Sequence, residues 1–484
     1  MNNSELFDLI SKITGLKLSG EIRKETDLIG EKDVPKEVYF GVQTMRGVEN
    51  FRISGRTLID FPYLIKGLAY VKKAAAITNS KLSFIDKNVC DAICKACDEI
   101  IEGKHYEHFV VDLIQGGAGT STNMNANEVI ANRALEILGK EKGDYKTISP
   151  NDDVNCSQST NDAYPSSIHI AFLLYNNDLI SSLKNLVESF RKKAKEFEHI
   201  IKMGRTQLQD AVPMTLEQEF NAFANTLHYE IENLNCNVSW FEYINMGATA
   251  IGTGINCHAD YPNMCVSELA KMTGFNLELA NDLIESTPDT SALVSYHAAV
   301  KRLAIKLSKI CNDLRLLSSG PRAGFFEINL PKMQPGSSIM PGKVNPVMLE
   351  VVNQVCFKVF GNDTTINFAA EAAQLQLNVM EPIIVETLHE SILYLINSMD
   401  TLRIYCIDGI TANVERCKEM VLRNIGIVTA LNPTIGYKQS TAIAKEAMET
   451  GRGVYELVLE KGILDKITLD KILDPESMCS FNLK

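Results

Sequence analysis

The sequence has no excess of basic residues, and this absence limits the partners that the protein can have. Its 48 Lys and Arg side chains are outnumbered by 60 Asp and Glu side chains, which gives a formal net charge of −12 at pH 7. No basic cluster with interleaved aromatic residues is found, so a surface for a phosphate backbone is not expected. We therefore expect no nucleic-acid partner, and an anionic substrate must be held by local donors.

Long apolar runs are also missing. No segment offers about 18 consecutive apolar residues, as a membrane-spanning helix requires. The N-terminal segment MNNSELFDLISKITGLKLSG has neither a basic n-region nor a small-residue cleavage site. We therefore expect no membrane association and a cytoplasmic location. In that compartment the 12 cysteines are expected to be reduced core residues and not a disulfide framework.

A metal site is not predicted either. Cys94 and Cys97 form a C-x-x-C pair, with Cys90 one helical turn earlier, which could suggest a metal or redox site. The spacing is that of one helix face, and no second Cys or His pair follows at the distance typical of zinc sites. The histidines, including His105, His108, His169, His258, His297 and His389, show no nucleophile–base arrangement and are interpreted as structural.

The hydrophobic pattern through the middle of the chain is helical. Apolar residues recur at intervals of three and four, for example from Leu179 to Phe197 and from Val300 to Leu317. Similar patterns cover residues 214–244, 346–377 and 379–406, and Pro382 is expected to kink the last of these helices. The pattern predicts an all-α fold with a central bundle of about five long helices.

Changes in the pattern suggest three domains. Shorter helices and turns rich in Gly, Pro and Asp precede the bundle, and shorter periodic stretches with Asn432-Pro433 and 451–453 as breaks follow it. The predicted division is an N-terminal domain of residues 1–152, a central helix-bundle domain of residues 153–412 and a C-terminal helical domain of residues 413–484.

One segment inside the bundle region has no helical period. Residues 320–346 read GPRAGFFEINLPKMQPGSSIMPGKVNP, and loops of this length in a compact domain are usually functional or disordered. Asn345 and Pro346 are typical of the N-cap and first position of a helix, so the loop is expected to end at a helix start, which attracts anions.

Three further clusters of hydroxyl and amide side chains lie beside predicted helices. They occupy residues 116–123 (GGAGTSTN), 157–162 (SQSTND) and 204–210 (GRTQLQD). Taken singly, each is better explained by helix capping. Together with the Ser337, Ser338, Lys343 and Asn345 loop, they indicate a binding site for a small polar molecule.

The loop sequence GSSIMPGKVNP at 336–346 resembles the signature of the aspartase/fumarase superfamily. The resemblance continues through ETDLIGEKDVPKEVYFGVQT, GTSTNMNANEV, SQSTNDAYPS, GRTQLQDAVP, NQVCFKVFGND and GITANVERC, so it covers nearly the whole chain. The segment after the signature looks more like the aspartase branch, and Gln207 stands where fumarases usually show His. Gly342, in contrast, is common in fumarases.

This resemblance implies a carbon–nitrogen lyase that eliminates ammonia from L-aspartate to give fumarate. It also implies a homotetramer with active sites shared between subunits and no required cofactor, with a divalent cation such as Mg²⁺ as an activator at most. A class II fumarase acting on malate and a non-catalytic structural relative remain the alternatives, since a fold alone does not prove an activity.

By the same resemblance, Ser337 is the general base that removes the carbon-bound proton. The residues expected to bind substrate are Thr120, Ser159, Thr160 and Asn161 at the β-carboxylate, and Thr206, Lys343 and Asn345 at the α-carboxylate, with Gln207 beside them. Glu350 is given a supporting role. The predicted segment 166–200 alone would span about 50 Å as an unbroken helix, so neighbouring subunits are expected to complete each site.

Overall fold

The computed structural model describes residues 3–474, which form two compact units. Unit 1 contains residues 3–179, 233–301 and 358–393, and unit 2 contains residues 180–232, 302–357 and 394–474. The division into domains at 152 and 412 stays a prediction.

The secondary structure is mainly helical, which confirms the predicted fold class. The α-helices are α1 (Asn3–Thr14), α2 (Val42–Asn50), α3 (Pro62–Lys81), α4 (Lys87–Ile101), α5 (Thr120–Ile137), α6 (Thr160–Glu196), α7 (Leu216–Val238), α8 (Tyr261–Thr273), α9 (Leu283–Ser286), α10 (Ser291–Leu317), α11 (Val347–Glu371), α12 (Glu381–Tyr405), α13 (Val414–Arg423), α14 (Val428–Ile435), α15 (Tyr437–Thr450), α16 (Val454–Glu460) and α17 (Lys466–Ile472). The strands are β1 (Ile22–Asp27), β2 (Gly30–Pro35), β3 (Ile201–Thr206), β4 (Gln209–Thr215), β5 (Tyr243–Ile244), β6 (Glu278–Leu279), β7 (Ile328–Asn329) and β8 (Thr411–Ala412).

The five long helices predicted from the hydrophobic pattern are α6, α7, α10, α11 and α12, with lengths of 23 to 37 residues. Polar side chains join them inside each unit. In unit 2 the amide of Asn353 in α11 donates to the hydroxyl of Ser308 in α10 at 2.9 Å. In unit 1 the hydroxyl of Tyr296 in α10 donates to Asn176 in α6 at 2.9 Å. These contacts pack α10 against α11 in unit 2 and against α6 in unit 1.

Unit 1 also contains the shorter helices of the N-terminal segment. Helix α3 packs against α4 and α8, and α4 packs against α5. The cysteines of the C-x-x-C pair lie in α4, with Cys97 buried and Cys94 half-buried, so the prediction of a single helix carrying these thiols is confirmed.

In unit 2 the C-terminal helices share a hydrophobic core with strand β3. Leu431, Leu457 and Leu469 are completely buried, and Ile201 and Met203 of β3 pack into the same cluster. The burial of these side chains anchors β3 to the C-terminal helices by removing apolar surface from water.

Two details of the helix boundaries differ from the predictions. Helix α11 begins at Val347, and the side-chain amide of Asn345 donates to the Gly336 carbonyl at 2.7 Å instead of capping the helix. Pro382 is the second residue of α12, and an N–H at this position has no acceptor within the helix. The proline therefore interrupts no hydrogen bond, and the prediction of a kink is wrong. The proline within a long helix is instead Pro165, in the second turn of α6.

Short strand pairs were not predicted. Within the described residues the strands form four two-stranded ladders, β1–β2, β3–β4, β5–β6 and β7–β8. The β3–β4 hairpin turns through Gln207 and Leu208, both with positive φ (54° and 61°). No helix in the described part of the chain is long and apolar enough to cross a membrane.

Candidate active site

The predicted site residues fall into two groups, one in each unit. Thr120, Ser159, Thr160 and Asn161 lie in unit 1, and Thr206, Gln207, Ser337, Lys343 and Asn345 lie in unit 2.

The group in unit 1 is built on two helix N-termini. Thr120 is the first residue of α5 and Thr160 is the first residue of α6. The amide of Asn123, one turn into α5, donates to the hydroxyl of Thr160 at 3.2 Å and so joins the two helix starts. Unpaired N–H groups and the helix dipole make such starts favourable for anions, and a carboxylate is the kind of group that they attract.

A glycine fixes the relative position of these two helix starts. Gly119 has φ 86°, and a Cβ atom at this position would lie 2.4 Å from the ring of Tyr164 in α6. Only glycine tolerates both the backbone conformation and this close approach. Gly119 therefore serves both the turn into α5 and the packing of α5 against α6.

Helix α6 begins with a reciprocal capping arrangement. The N–H of Asn161 donates to the Ser159 hydroxyl at 3.2 Å, and the N–H of Ser159 donates to the carboxylate of Asp162 at 2.9 Å. The other oxygen of Asp162 accepts the N–H groups of Gly247 and Thr249, at 3.2 and 2.9 Å. Asp162 thus holds the Ser159–Asn161 turn against a second loop.

Asn161 is held by the same loop. Its side-chain amide donates to the Ala250 carbonyl at 2.8 Å, and its own carbonyl accepts from the amide of Asn245 at 3.0 Å. One N–H of the Asn161 side chain is needed for this contact, which leaves the other for a ligand.

Two buried ionisable groups lie beneath this turn and were not predicted. Lys72 donates to Asn155 and Gln158 at 2.9 and 2.8 Å, and burial lowers its pKa to about 7. Burial likewise raises the pKa of the Asp162 carboxyl to about 7. The only sequence signal for Lys72 is a lysine at an apolar position of a helix, in VKKAAA.

The group in unit 2 centres on the irregular loop. Its neck is closed by two hydrogen bonds, from the N–H of Gly336 to the Lys343 carbonyl and from the Asn345 amide to the Gly336 carbonyl, both 2.7 Å. A Cβ atom at Gly336 would lie 2.7 Å from the backbone nitrogen of Asn345, so glycine is required there. The neck brings Ser337, Lys343 and Asn345 into one small segment.

The hydroxyl of Ser337 accepts two backbone N–H groups of its own loop. The donors are Ile339 at 3.2 Å and Met340 at 2.9 Å. Hydrogen bonds that donate to an oxygen favour its anionic form. Backbone donors of the kind that a serine base needs are therefore present at Ser337.

Thr206 and Gln207 lie at the tip of the β3–β4 hairpin and are exposed. Beneath the hairpin is a buried ion cluster that was not predicted from the sequence. Glu327 is completely buried and forms ion pairs with Lys202 at 2.9 Å and with Arg205 at 2.5 Å.

Three of the histidines have a pKa well below its usual value. Burial lowers the pKa of His108 and His389 to about 3 and that of His169 to about 4, so these rings are neutral at pH 7. His105, Glu107 and His108 place possible ligand atoms within 4.8 Å of one another. However, Nδ1 of His108 accepts the N–H of Tyr39, so in the neutral ring Nε2 carries the proton and offers no lone pair to a metal.

Comparison with known proteins extends the resemblance to whole chains. A family model described as Lyase matches residues 30–361, and one described as Fumarase C C-terminus matches residues 427–480. The chain is 55% identical over 459 residues to an aspartate ammonia-lyase of Helicobacter pylori, covering 95% of this chain and 98% of the relative.

Solved structures give the same result. A fumarate lyase:delta crystallin from Brucella melitensis, bound to cobalt, superposes with a TM-score of 0.93 at 52% identity, covering 95% of this chain and 100% of that one. A class II fumarase from Schistosoma mansoni superposes with a TM-score of 0.87 at 33% identity, covering 95% and 99%. The protein is therefore a lyase by fold and sequence. It belongs to the aspartase/fumarase superfamily.

Proposed function

We propose that the chain is an aspartate ammonia-lyase that converts L-aspartate reversibly into fumarate and ammonia. Identity of 55% to an aspartate ammonia-lyase over nearly both full lengths supports this substrate, against 33% to a class II fumarase. The observation that carries the mechanism is the Ser337 hydroxyl, which accepts two backbone N–H groups in the signature loop.

The difficult step is removal of a proton from the carbon next to the β-carboxylate. The electrons of the broken C–H bond move into that carboxylate and form an aci-carboxylate with a second negative charge. They then return to form the C=C bond as the C–N bond of the protonated amine breaks, so that the C–N electron pair leaves with neutral ammonia. The proton held by Ser337 passes to solvent before the next turnover. In this proposal the donors Thr120, Ser159, Thr160 and Asn161 stabilise the doubly charged group, and one such donor is worth about 2.7–4 kcal/mol.

Ser337 takes the proton in its alkoxide form. The N–H groups of Ile339 and Met340 stabilise this anion, and Lys343 adds positive charge from the same loop. Closure of the loop over the substrate would exclude water and strengthen these interactions. Glu350, in the first turn of α11, has a supporting role.

The α-carboxylate is assigned to Lys343, Asn345, Thr206 and Gln207. Lys343 is the cation of this set and is exposed, as expected for a group that meets a substrate. No cofactor is required, because the base, the two carboxylate sites and the loop suffice for the elimination. A divalent cation such as Mg²⁺ acts at most as an activator.

The fumarase alternative draws on Gly342, which is common in fumarases. Gly342 has φ 81°, a conformation that favours glycine whatever the substrate. Its identity is therefore explained by the backbone, and it gives no preference for malate. The test is to follow fumarate formation from L-aspartate and from L-malate with the purified chain. Turnover of malate with none of aspartate would overturn the proposal in favour of fumarase, and turnover of neither would favour a non-catalytic relative.

We also propose a homotetramer whose active sites combine residues of neighbouring subunits. Helix α6 has 37 residues; Thr160 is its first residue, and Thr206 lies ten residues beyond its end. A helix of that length extends about 55 Å if straight, far more than the length of aspartate. Residues on either side of it are therefore expected to serve different substrate molecules.

Subunit complementation tests this assembly. Ser337→Ala and Thr206→Ala chains, each confirmed as inactive tetramers, are unfolded together and refolded as mixed tetramers. If Ser337 and Thr206 of one site come from different chains, some mixed sites carry neither substitution and activity returns. Mixed tetramers that form but stay inactive would indicate that one chain supplies both residues.

A further inference from the structure

The ion cluster around Glu327 joins two segments, the β3–β4 hairpin and the irregular loop. The proposed function assigns the hairpin to substrate binding and the loop to catalysis. Glu327 lies at the base of the irregular loop, ten residues before Ser337, and its side chain is completely buried. Its partners Lys202 and Arg205 lie in β3, and Arg205 directly precedes Thr206. A single carboxylate therefore connects the loop base with the hairpin.

The cluster is almost completely desolvated. The side chain of Lys202 is 2% exposed and that of Arg205 is 13% exposed, and Lys202 also pairs with Glu219 at 2.5 Å. Coulomb interactions between buried charges are weakly screened, whereas an unpaired buried charge is costly. Movement of the hairpin away from the loop base would leave Glu327 without its cations, and this cost opposes such movement.

The backbone around Glu327 is fixed as firmly as its side chain. Its N–H donates to the Leu317 carbonyl at the end of α10, and its carbonyl accepts the N–H of Asn413, both at 2.8 Å. Strand β7 follows directly and pairs with β8. The guanidinium of Arg205 lies 4.3 Å from the ring centre of Phe325, which adds a second contact between hairpin and loop base.

We propose that Glu327 is a positioning residue that holds the hairpin carrying Thr206 and Gln207 in a fixed relation to the base of the loop carrying Ser337. The loop can then move only beyond Asn329. The mobile part is the segment of 330–346, which contains the neck and the general base Ser337. This inference rests on the proposed function for the roles of Thr206 and Ser337. If complementation shows that Thr206 and Ser337 of one chain serve different active sites, Glu327 acts on two sites at once.

The test uses Glu327→Gln in the full tetrameric protein. Glutamine keeps the volume and removes the charge, so the cations of the hairpin lose their tie to the loop base. Amide hydrogen exchange should become faster in both 203–210 and 325–329, and kcat/KM for aspartate should fall by about tenfold to a hundredfold, the effect of a misplacement near 1 Å.

Glu230→Gln is the matched control. Glu230 is also completely buried in unit 2 and forms ion pairs with Arg302 at 2.8 Å and with Lys306, but these lie between α7 and α10. This variant also removes the charge of a buried carboxylate with two cationic partners, although Arg302 and Lys306 are more exposed, at 51% and 28%, than Lys202 and Arg205. It should leave exchange in the hairpin and the kinetic constants for aspartate unchanged.

Arg205→Gln breaks the same connection at its hairpin end. This variant replaces Glu327→Gln in the test if Glu327→Gln does not fold. The Lys202–Glu327 pair remains in this variant, so only the end of the hairpin around Arg205 and Thr206 should loosen, while the loop base stays protected. The expected kinetic change is a higher KM for aspartate with a smaller change in kcat.

Unchanged exchange of 203–210 in folded Glu327→Gln, or an increase equal to that in Glu230→Gln, would overturn the proposal. Exchange is measured without turnover, so this result is independent of the substrate. If the wild-type protein does not convert aspartate, the proposed function is wrong, and the exchange data still decide whether Glu327 connects the two segments.

Discussion

Replacement of Ser337 by alanine removes the oxygen assigned to the carbon-bound proton and leaves the rest of the loop unchanged. The expected result is loss of aspartate elimination with fold and assembly preserved. A positioned general base contributes about 10²–10⁴-fold to a rate. Since the two N–H groups on the Ser337 oxygen act only through that oxygen, their effect is lost with it. We expect kcat to fall by at least about 10³-fold.

The stability of this variant should hardly change. The N–H groups of Ile339 and Met340 lose their acceptor, but both residues are well exposed, at 84% and 49%, so water can replace it. Exposed substitutions of this kind usually change the free energy of unfolding by no more than about 0.5 kcal/mol. Ser338→Ala is the matched control, because Ser338 is the exposed neighbour and has no assigned role.

The assay follows the ultraviolet absorbance of fumarate with saturating L-aspartate, after sedimentation has shown the same assembly for wild type and variants. Ser337→Ala should be inactive, and Ser338→Ala should keep most of the wild-type turnover. If Ser337→Ala retained more than about 1% of the wild-type kcat, the fall in rate would be smaller than the contribution of a general base. Another group would then be the base.

Three further predictions use other parts of the chain. Lys343→Ala should raise KM for aspartate at least about tenfold, whereas Lys332→Ala, in the same loop, should not; an unchanged KM would remove Lys343 from the α-carboxylate site. Burial raises the pKa of the Glu381 carboxyl from 4.5 to about 8. The protonated side chain therefore contributes its full stability below about pH 4.5, and this contribution is lost as pH rises through about 8. The free energy of unfolding should fall by at most about 5 kcal/mol over this range. Tm should therefore fall between pH 5 and 8.5 in wild type and less so in Glu381→Gln; parallel curves would contradict this. Removal of divalent cations with EDTA should leave aspartate turnover measurable, and complete loss that Mg²⁺ restores would show a required metal.

The long helices could be predicted from the sequence because their apolar period continues over more than 20 residues. Five helices and the loop between α10 and α11 were found in this way. Helix ends are set by single side chains, so the apolar period does not determine them. Asn345 looks like an N-cap but donates to Gly336 across the neck of the loop, a contact that depends on the folded loop.

The β3–β4 hairpin was missed because its turn lacks the usual residues. Two-residue hairpin turns with positive φ favour Asn-Gly or Asp-Gly, and this one has Gln207-Leu208. The hairpin is instead stabilised from outside, by the burial of Ile201 and Met203 in the C-terminal core and by the pairing of Arg205 with Glu327. Such tertiary support leaves no local pattern in the sequence.

The polar residues of the candidate site, which are exposed or half-buried, could be proposed from motifs, whereas the charged groups beneath them could not. Lys72 bonds Asn155, which is 83 residues away, and Arg205 pairs with Glu327, which is 122 residues away. Charged residues are rarely buried unless they are paired. Only the fold shows which lysines and glutamates have found such partners.

The distribution of charge in the site agrees with the chemistry proposed for it. Negative charge on the α-carboxylate stays constant during elimination, so the contact of Lys343 with this carboxylate stabilises substrate and transition state alike and serves binding. Charge on the β-carboxylate grows, and its assigned donors are neutral groups at the starts of α5 and α6. Hydrogen bonds to neutral donors gain most where charge develops, so these groups favour the transition state over the substrate. In a protein with a net charge of −12, this division binds the α-carboxylate with one lysine and neutral donors and keeps the donors at the β-carboxylate for catalysis.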